Sequence, residues 1–164
     1  MTLFGKKLGE YVRFARVGIV LILLVGVARF IVGVSGVPYE RATHLVSLTI
    51  TTLALAIIYG ARAAATRFGG YRHLLPTVVL LAFAMYGFII AAILVEGLGG
   101  IHGYFHAPGH GLAPGGIAVW DHVVGQLLAM LFSIGVFWVL AAVGFAAWRG
   151  LSLLARRAPG QRPA

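Results

Sequence analysis

Four stretches of the chain, residues 14–34, 44–63, 74–96 and 119–148, are almost continuously apolar, with polar residues gathered in the segments between them. Each matches or exceeds the length of about 20 residues that carries an α-helix across roughly 30 Å of hydrocarbon. A membrane β-barrel would need strands of alternating polarity, and these stretches do not alternate. In lipid, only a helix then satisfies its own backbone. The pattern predicts an all-α integral membrane protein whose four transmembrane helices form an antiparallel bundle.

Residues 1–150 make the single domain, residues 97–118 form an external loop rich in His and Gly, and residues 151–164 form a basic, disordered cytoplasmic tail. The first stretch follows a basic start and ends near the small residues Gly26 and Ala28, as a leader peptide does; it is expected to persist as a helix.

Composition agrees with a lipid solvent: 60% of the 164 residues are hydrophobic and 10% are charged, and the mean hydropathy is +0.97. The absence of cysteine excludes disulfides, thiolate metal sites and the C-x-x-C-H mode of haem attachment. The net charge of +9 would suit nucleic acid if it covered one face of a folded domain. The cations cluster where helices leave the membrane instead, so no nucleic-acid partner is expected.

Lys6, Lys7, Arg13 and Arg16 precede the first helix, Arg62, Arg67 and Arg72 surround the second connection, and Arg149, Arg156, Arg157 and Arg162 follow the fourth helix. The other two connections hold Arg41 beside Glu40 as their fixed cation. The positive-inside rule therefore puts both termini in the cytoplasm, and the expected location is a plasma membrane of the bacterial inner-membrane kind. Tyr11, Phe14, Tyr59, Tyr71 and Trp148 fall at the inner boundary, and Tyr39, Tyr104, Phe105 and Trp120 at the outer one. That is where amphipathic rings settle.

Ionisable residues at membrane depth are candidates for function. Arg29 lies in the outer part of the first helix, with Gly26 and Gly33 at i−3 and i+4 marking a face open to close helix approach. Its expected counter-charge is Glu96 or Asp121; snorkelling to the outer headgroups is the plain alternative. Pro76 stands at the inner start of the third helix and the acids sit at the outer edge, which is not the layout of a transporter site. His73, among arginines, is expected at the surface.

Four of the six histidines lie between residues 99 and 122. "IHGYFHA", residues 101–107, is expected to form a short interfacial helix with His102 and His106 one turn apart, and His110 follows in a Gly/Pro turn. Together with His122, and with Asp121 or Glu96 as a carboxylate ligand or hydrogen-bond partner, these residues form a candidate transition-metal site for Cu or Zn.

His44 opens the second helix, with Ser47 and Thr51 on the same face, and His122 opens the fourth, with Gln126 one turn below. His44 and His122, with Arg29 near a propionate, are the corresponding candidates for haem b or quinol chemistry. The chain lacks H-E-x-x-H, P-loop and G-x-S-x-G motifs. Glycines at 18, 26, 33, 87, 125, 135 and 144 allow close helix packing. The primary expectation is a non-enzymatic membrane subunit or accessory module, with the lipid bilayer and other membrane subunits, or further copies of itself, as partners.

Overall fold

The structure, a computed structural model, describes residues 2–38, 47–106 and 118–157. Among the described residues four helices dominate: α1 (Leu8–Val34), α2 (Leu48–Ala65), α3 (Tyr71–Gly99) and α4 (Val119–Arg157). All four are long and apolar enough to cross a membrane, so this is an all-helical membrane protein.

The helix ends differ from the hydropathy boundaries for local reasons. α1 starts at Leu8 because the Lys7 amide is capped by Glu10 Oε2 at 2.8 Å. Ahead of it, β1 (Thr2–Leu3) pairs antiparallel with β2 (Lys6–Lys7). The two-residue turn between them has positive φ at both Phe4 (53°) and Gly5 (85°), as a tight hairpin turn requires. Hydropathy gave no sign of this hairpin, which is too short to carry a periodic signal.

α2 begins at Leu48, where Ser47 accepts the Ile50 amide as N-cap. The predicted opening at His44 falls outside the described residues. α4 continues as a helix through Arg157, so the start of the segment expected to be disordered is helical.

α2 packs most extensively on α4, α4 also on α3, and α3 on α1. In lipid such contacts depend on close backbone approach. A Cβ added to Gly60 would collide with the carbonyl of Ala141, and one added to Gly144 with that of Ile57. These contacts mark the crossing of two helices that run in the same direction, since the start of α2 (Ser47, Leu48) lies beside the start of α4 (His122, Gln126) and its end (Ala64, Ala65) beside Arg149 and Ser152. Gly18 and Gly26 of α1 meet the rings of Tyr59 and Phe88 at hypothetical Cβ distances of 2.6 and 2.7 Å. Gly87, Gly125 and Gly135 have open space beside them and face outward.

Tyr59 joins α1 to α2: its hydroxyl accepts the Gly18 amide at 2.8 Å and donates to the Ala15 carbonyl at 3.2 Å. The turn after α2 is a Schellman motif, with Phe68 N–H donating to Ala63 O at 3.0 Å and Arg67 N–H to Ala64 O at 3.3 Å. Its left-handed position is held by Arg67 at φ 53°. An L-residue pays about 1 kcal/mol there relative to glycine. The motif delivers Phe68 onto Phe14, whose ring stacks at 4.0 Å.

His73 is buried, contrary to its expected surface position. Its Nδ1 accepts the Gly70 amide at 3.1 Å, so Nε2 carries the hydrogen and donates to the Phe4 carbonyl at 3.1 Å. This ring fastens the N-terminal hairpin to the start of α3.

Candidate functional site

The end of the bundle that carries the histidine loop is organised by Glu96. α3 stops because Gly100 adopts a left-handed φ of 64°, and the Ile101 amide returns to the Glu96 carbonyl at 3.1 Å. The loop then folds over the Glu96 side chain, which is only 2% exposed. His106 N–H donates to Glu96 Oε2 at 2.8 Å, while Oε1 is buried with no hydrogen-bond partner among the described residues. Gly103 sits so close that a Cβ there would collide with the carboxylate.

This fold-back replaces the interfacial helix expected from residues 101–107: residues 101–106 are irregular. A helix would take the His106 amide away from Glu96, and it would place a backbone needing regular φ/ψ where the chain must reverse. The loop is also pinned by its two aromatics, both buried. Tyr104 donates its hydroxyl hydrogen to the Val37 carbonyl. Phe105 packs against Phe30 and Phe88, with ring centroids 6.5 and 6.0 Å apart.

The anchored loop presents His106 to the first turn of α4. There His106 Nδ1 lies 3.5 Å from His122 Nδ1. Gly97 keeps the elements close, since a Cβ on it would meet Val119 Cγ2 at 2.5 Å and His106 Cδ2 at 3.1 Å. With both rings neutral, one Nδ1 donates and the other accepts. The two Nε2 atoms then hold opposite roles, one acceptor and one donor, according to where the shared hydrogen sits.

Beneath this pair, all four helices and the loop enclose a cavity of about 340 Å³, within the range of small-molecule sites. Arg29 of α1, Ser47 of α2, Tyr86 of α3, Tyr104 of the loop and His122 and Gln126 of α4 line it. The Arg29 guanidinium lies 5.9 Å from the Tyr104 ring centroid. Tyr86 shares a 2.6 Å hydrogen bond with Ser133, which ties α3 to α4 at the cavity floor.

Of the residues expected from sequence to bind a cofactor, Arg29 and His122 come together on this cavity; His44 lies outside the described residues. Among the described residues no ion pair from Arg29 to Glu96 or Asp121 is seen. Glu96 is turned toward the loop backbone, and Asp121 is exposed in the first turn of α4, where an acid complements the helix N-terminus.

Of the expected metal ligands, His106 and His122 meet, His102 is exposed in the loop, and His110 lies outside the described residues. Among the described residues no three His, Asp or Glu side chains converge. Sequence reading missed the inward turn of Tyr104 and Phe105 and the part Glu96 plays in anchoring the loop. The signal available was two adjacent aromatics in a segment otherwise rich in glycine, read as headgroup anchors.

No family model, curated protein or solved structure matches this chain.

Proposed function

We propose that this protein is a non-catalytic membrane module that holds the head group of a small lipid-soluble molecule, of the quinol or quinone class, in its four-helix cavity. The observation that carries the reading is the convergence of Arg29, Ser47, His122 and Gln126 from three helices on one cavity walled by Tyr104, Phe105 and Ile89. Flat rings bearing carbonyl or hydroxyl oxygens suit such a lining, because the aromatic and aliphatic walls take the ring faces and the polar groups take the oxygens. The His106–His122 pair fits both redox forms, since its shared hydrogen lets His122 offer a donor or an acceptor.

In this reading consecutive helices of the bundle are antiparallel, so that α2 and α4 run side by side in the same direction, as their shared linings at the two ends support. The termini lie on the cytoplasmic side of a bacterial inner membrane, in keeping with the loop charges. The outward-facing Gly87, Gly125 and Gly135 leave room for helices of partner subunits.

The test is titration of a short-tailed benzoquinone into the purified protein in neutral detergent. Wild type is expected to bind saturably, and Arg29→Gln and His122→Ala to bind about tenfold or more weakly, the effect of losing a hydrogen bond to a charged or polarised group. Equal binding by all three proteins would overturn the proposal.

The His106–His122 separation favours a second reading, a Zn or Cu site at the loop end. Two imidazole nitrogens on one tetrahedral zinc, with bonds of about 2.0–2.1 Å, stand roughly 3.4 Å apart, and here the Nδ1 atoms are 3.5 Å apart. His102 and His110 are the further ligands in this reading. Metal content per chain should then fall to background in His106→Ala and in His122→Ala; unchanged stoichiometry in both would remove it.

A further inference from the structure

At the opposite end of the bundle, the turn between α2 and α3 and the last turns of α4 enclose a second cleft of about 490 Å³. Arg67 from the turn and Arg149 from α4 line it together with Trp148, Ser152 and the Gly69–Gly70 backbone, and among the described residues no acidic side chain does.

Arg67 occupies the one position of the Schellman motif that glycine fits without strain. Both hydrogen bonds of that motif are made by backbone atoms and would close around a glycine equally well. The fold therefore gives no reason for an arginine there, and its side chain lines the cleft. Gly70 caps the N-terminus of α3, so the positive end of a 29-residue helix faces the same space.

The level of the cleft in the membrane follows from α4. Its 39 residues extend about 58 Å at 1.5 Å per residue, far more than the roughly 30 Å hydrocarbon core. The final turns, with Arg149, stand among headgroups. On the bilayer side of Arg149 the surface of α4 is apolar: Val139 and Val143 are each more than half exposed, and Trp148 is of the type that settles at the interface.

From this basic floor and apolar helix surface we infer that the cleft binds the phosphate of an anionic phospholipid, held by Arg67 and Arg149, with an acyl chain running from the cleft toward the bilayer centre along α4. This site is independent of the cavity at the loop end and of its ligand.

The experiment is native mass spectrometry of the full chain in neutral detergent containing either phosphatidylglycerol or phosphatidylcholine, with thermal unfolding followed on the same samples. Wild type is expected to retain one phosphatidylglycerol and to melt higher with it than with phosphatidylcholine. Arg67→Gly and Arg149→Gln should each lower retention about fivefold, which is the effect of removing one interfacial cation worth roughly 1 kcal/mol.

Arg16→Gln removes a cation from exposed α1 surface near the same end and should leave retention unchanged. In detergent without anionic lipid, Arg67→Gly should melt at or above wild type, because its left-handed position suits glycine; this separates loss of the site from loss of the fold. Glycerol phosphate without acyl chains should produce no shift.

Full retention by Arg67→Gly and Arg149→Gln would overturn the site, as would equal loss in Arg16→Gln. A shift from glycerol phosphate equal to that from the lipid would overturn the lipid as its source.

Discussion

His106, from an irregular loop, and His122, from the first turn of α4, place their Nδ1 atoms 3.5 Å apart, and the second of these rings lines the four-helix cavity. One hydrogen serves both nitrogens, so the state of the loop residue sets what the cavity residue can offer. His106→Ala should leave His122 in place but release it from its partner. Benzoquinone affinity should then drop by roughly threefold to tenfold, the effect of one neutral hydrogen bond of about 0.5–1.5 kcal/mol. His122→Ala should cost more, and the two titrations compared side by side check the order.

Glu96 fixes the loop that carries His106. Glu96→Ala removes the acceptor of the His106 amide, and hydrogen exchange at that amide should accelerate while the exchange of α2 stays unchanged. Glu96→Gln keeps an acceptor oxygen and should preserve most of the protection. Gly103→Ala should resemble Glu96→Ala, because its methyl group has no room beside the carboxylate.

Close backbone approach holds α2 to α4. Gly60→Ala and Gly144→Ala should each destabilise the protein by about 1–3 kcal/mol, since the new methyl group meets a carbonyl of the facing helix and forces a backbone shift. Gly125→Ala and Gly135→Ala, with open space around the added methyl, should be neutral or stabilising by up to about 1 kcal/mol through helix propensity. Thermal unfolding of the four variants in one detergent distinguishes the pairs.

His73 ties the N-terminal hairpin to α3 through two ring hydrogen bonds. His73→Ala should free residues 2–7, seen as faster proteolysis there, and lower stability by about 1–3 kcal/mol for the two lost contacts. His73→Asn places its amide at the position of the ring Nδ1, not at that of Nε2, and should recover part of the loss.

The spanning segments were legible in the sequence because an apolar run of membrane length has one stable backbone solution in lipid. Boundaries were less so, since Glu10, Ser47 and Gly100 act through single caps that hydropathy averages away. Gly18 and Gly26 lie at contacts within the bundle, whereas Gly125 and Gly135 face outward; spacing alone does not tell which side of a uniformly apolar helix this chain covers.

The site was legible in part. Arg29, His122 and Gln126 share a depth and meet on one cavity. The fold-back of residues 100–106 over Glu96 depends on a buried carboxylate, a left-handed glycine and two inward aromatics acting together, and no periodicity reports that. Asp121 followed the ordinary preference of acids for helix starts.

The central claim is that the cavity between the four helices takes a quinone head group. The most direct measurement is photolabelling of the purified protein with a photoreactive benzoquinone, with the modified residues mapped by peptide mass spectrometry. Labels are expected on α3 near Tyr86 and Ile89 and on α4 between His122 and Gln126, competed away by unlabelled quinone and lost in Arg29→Gln. Labels confined to outward residues such as Leu128 and Phe132, and unaffected by competitor, would contradict the account.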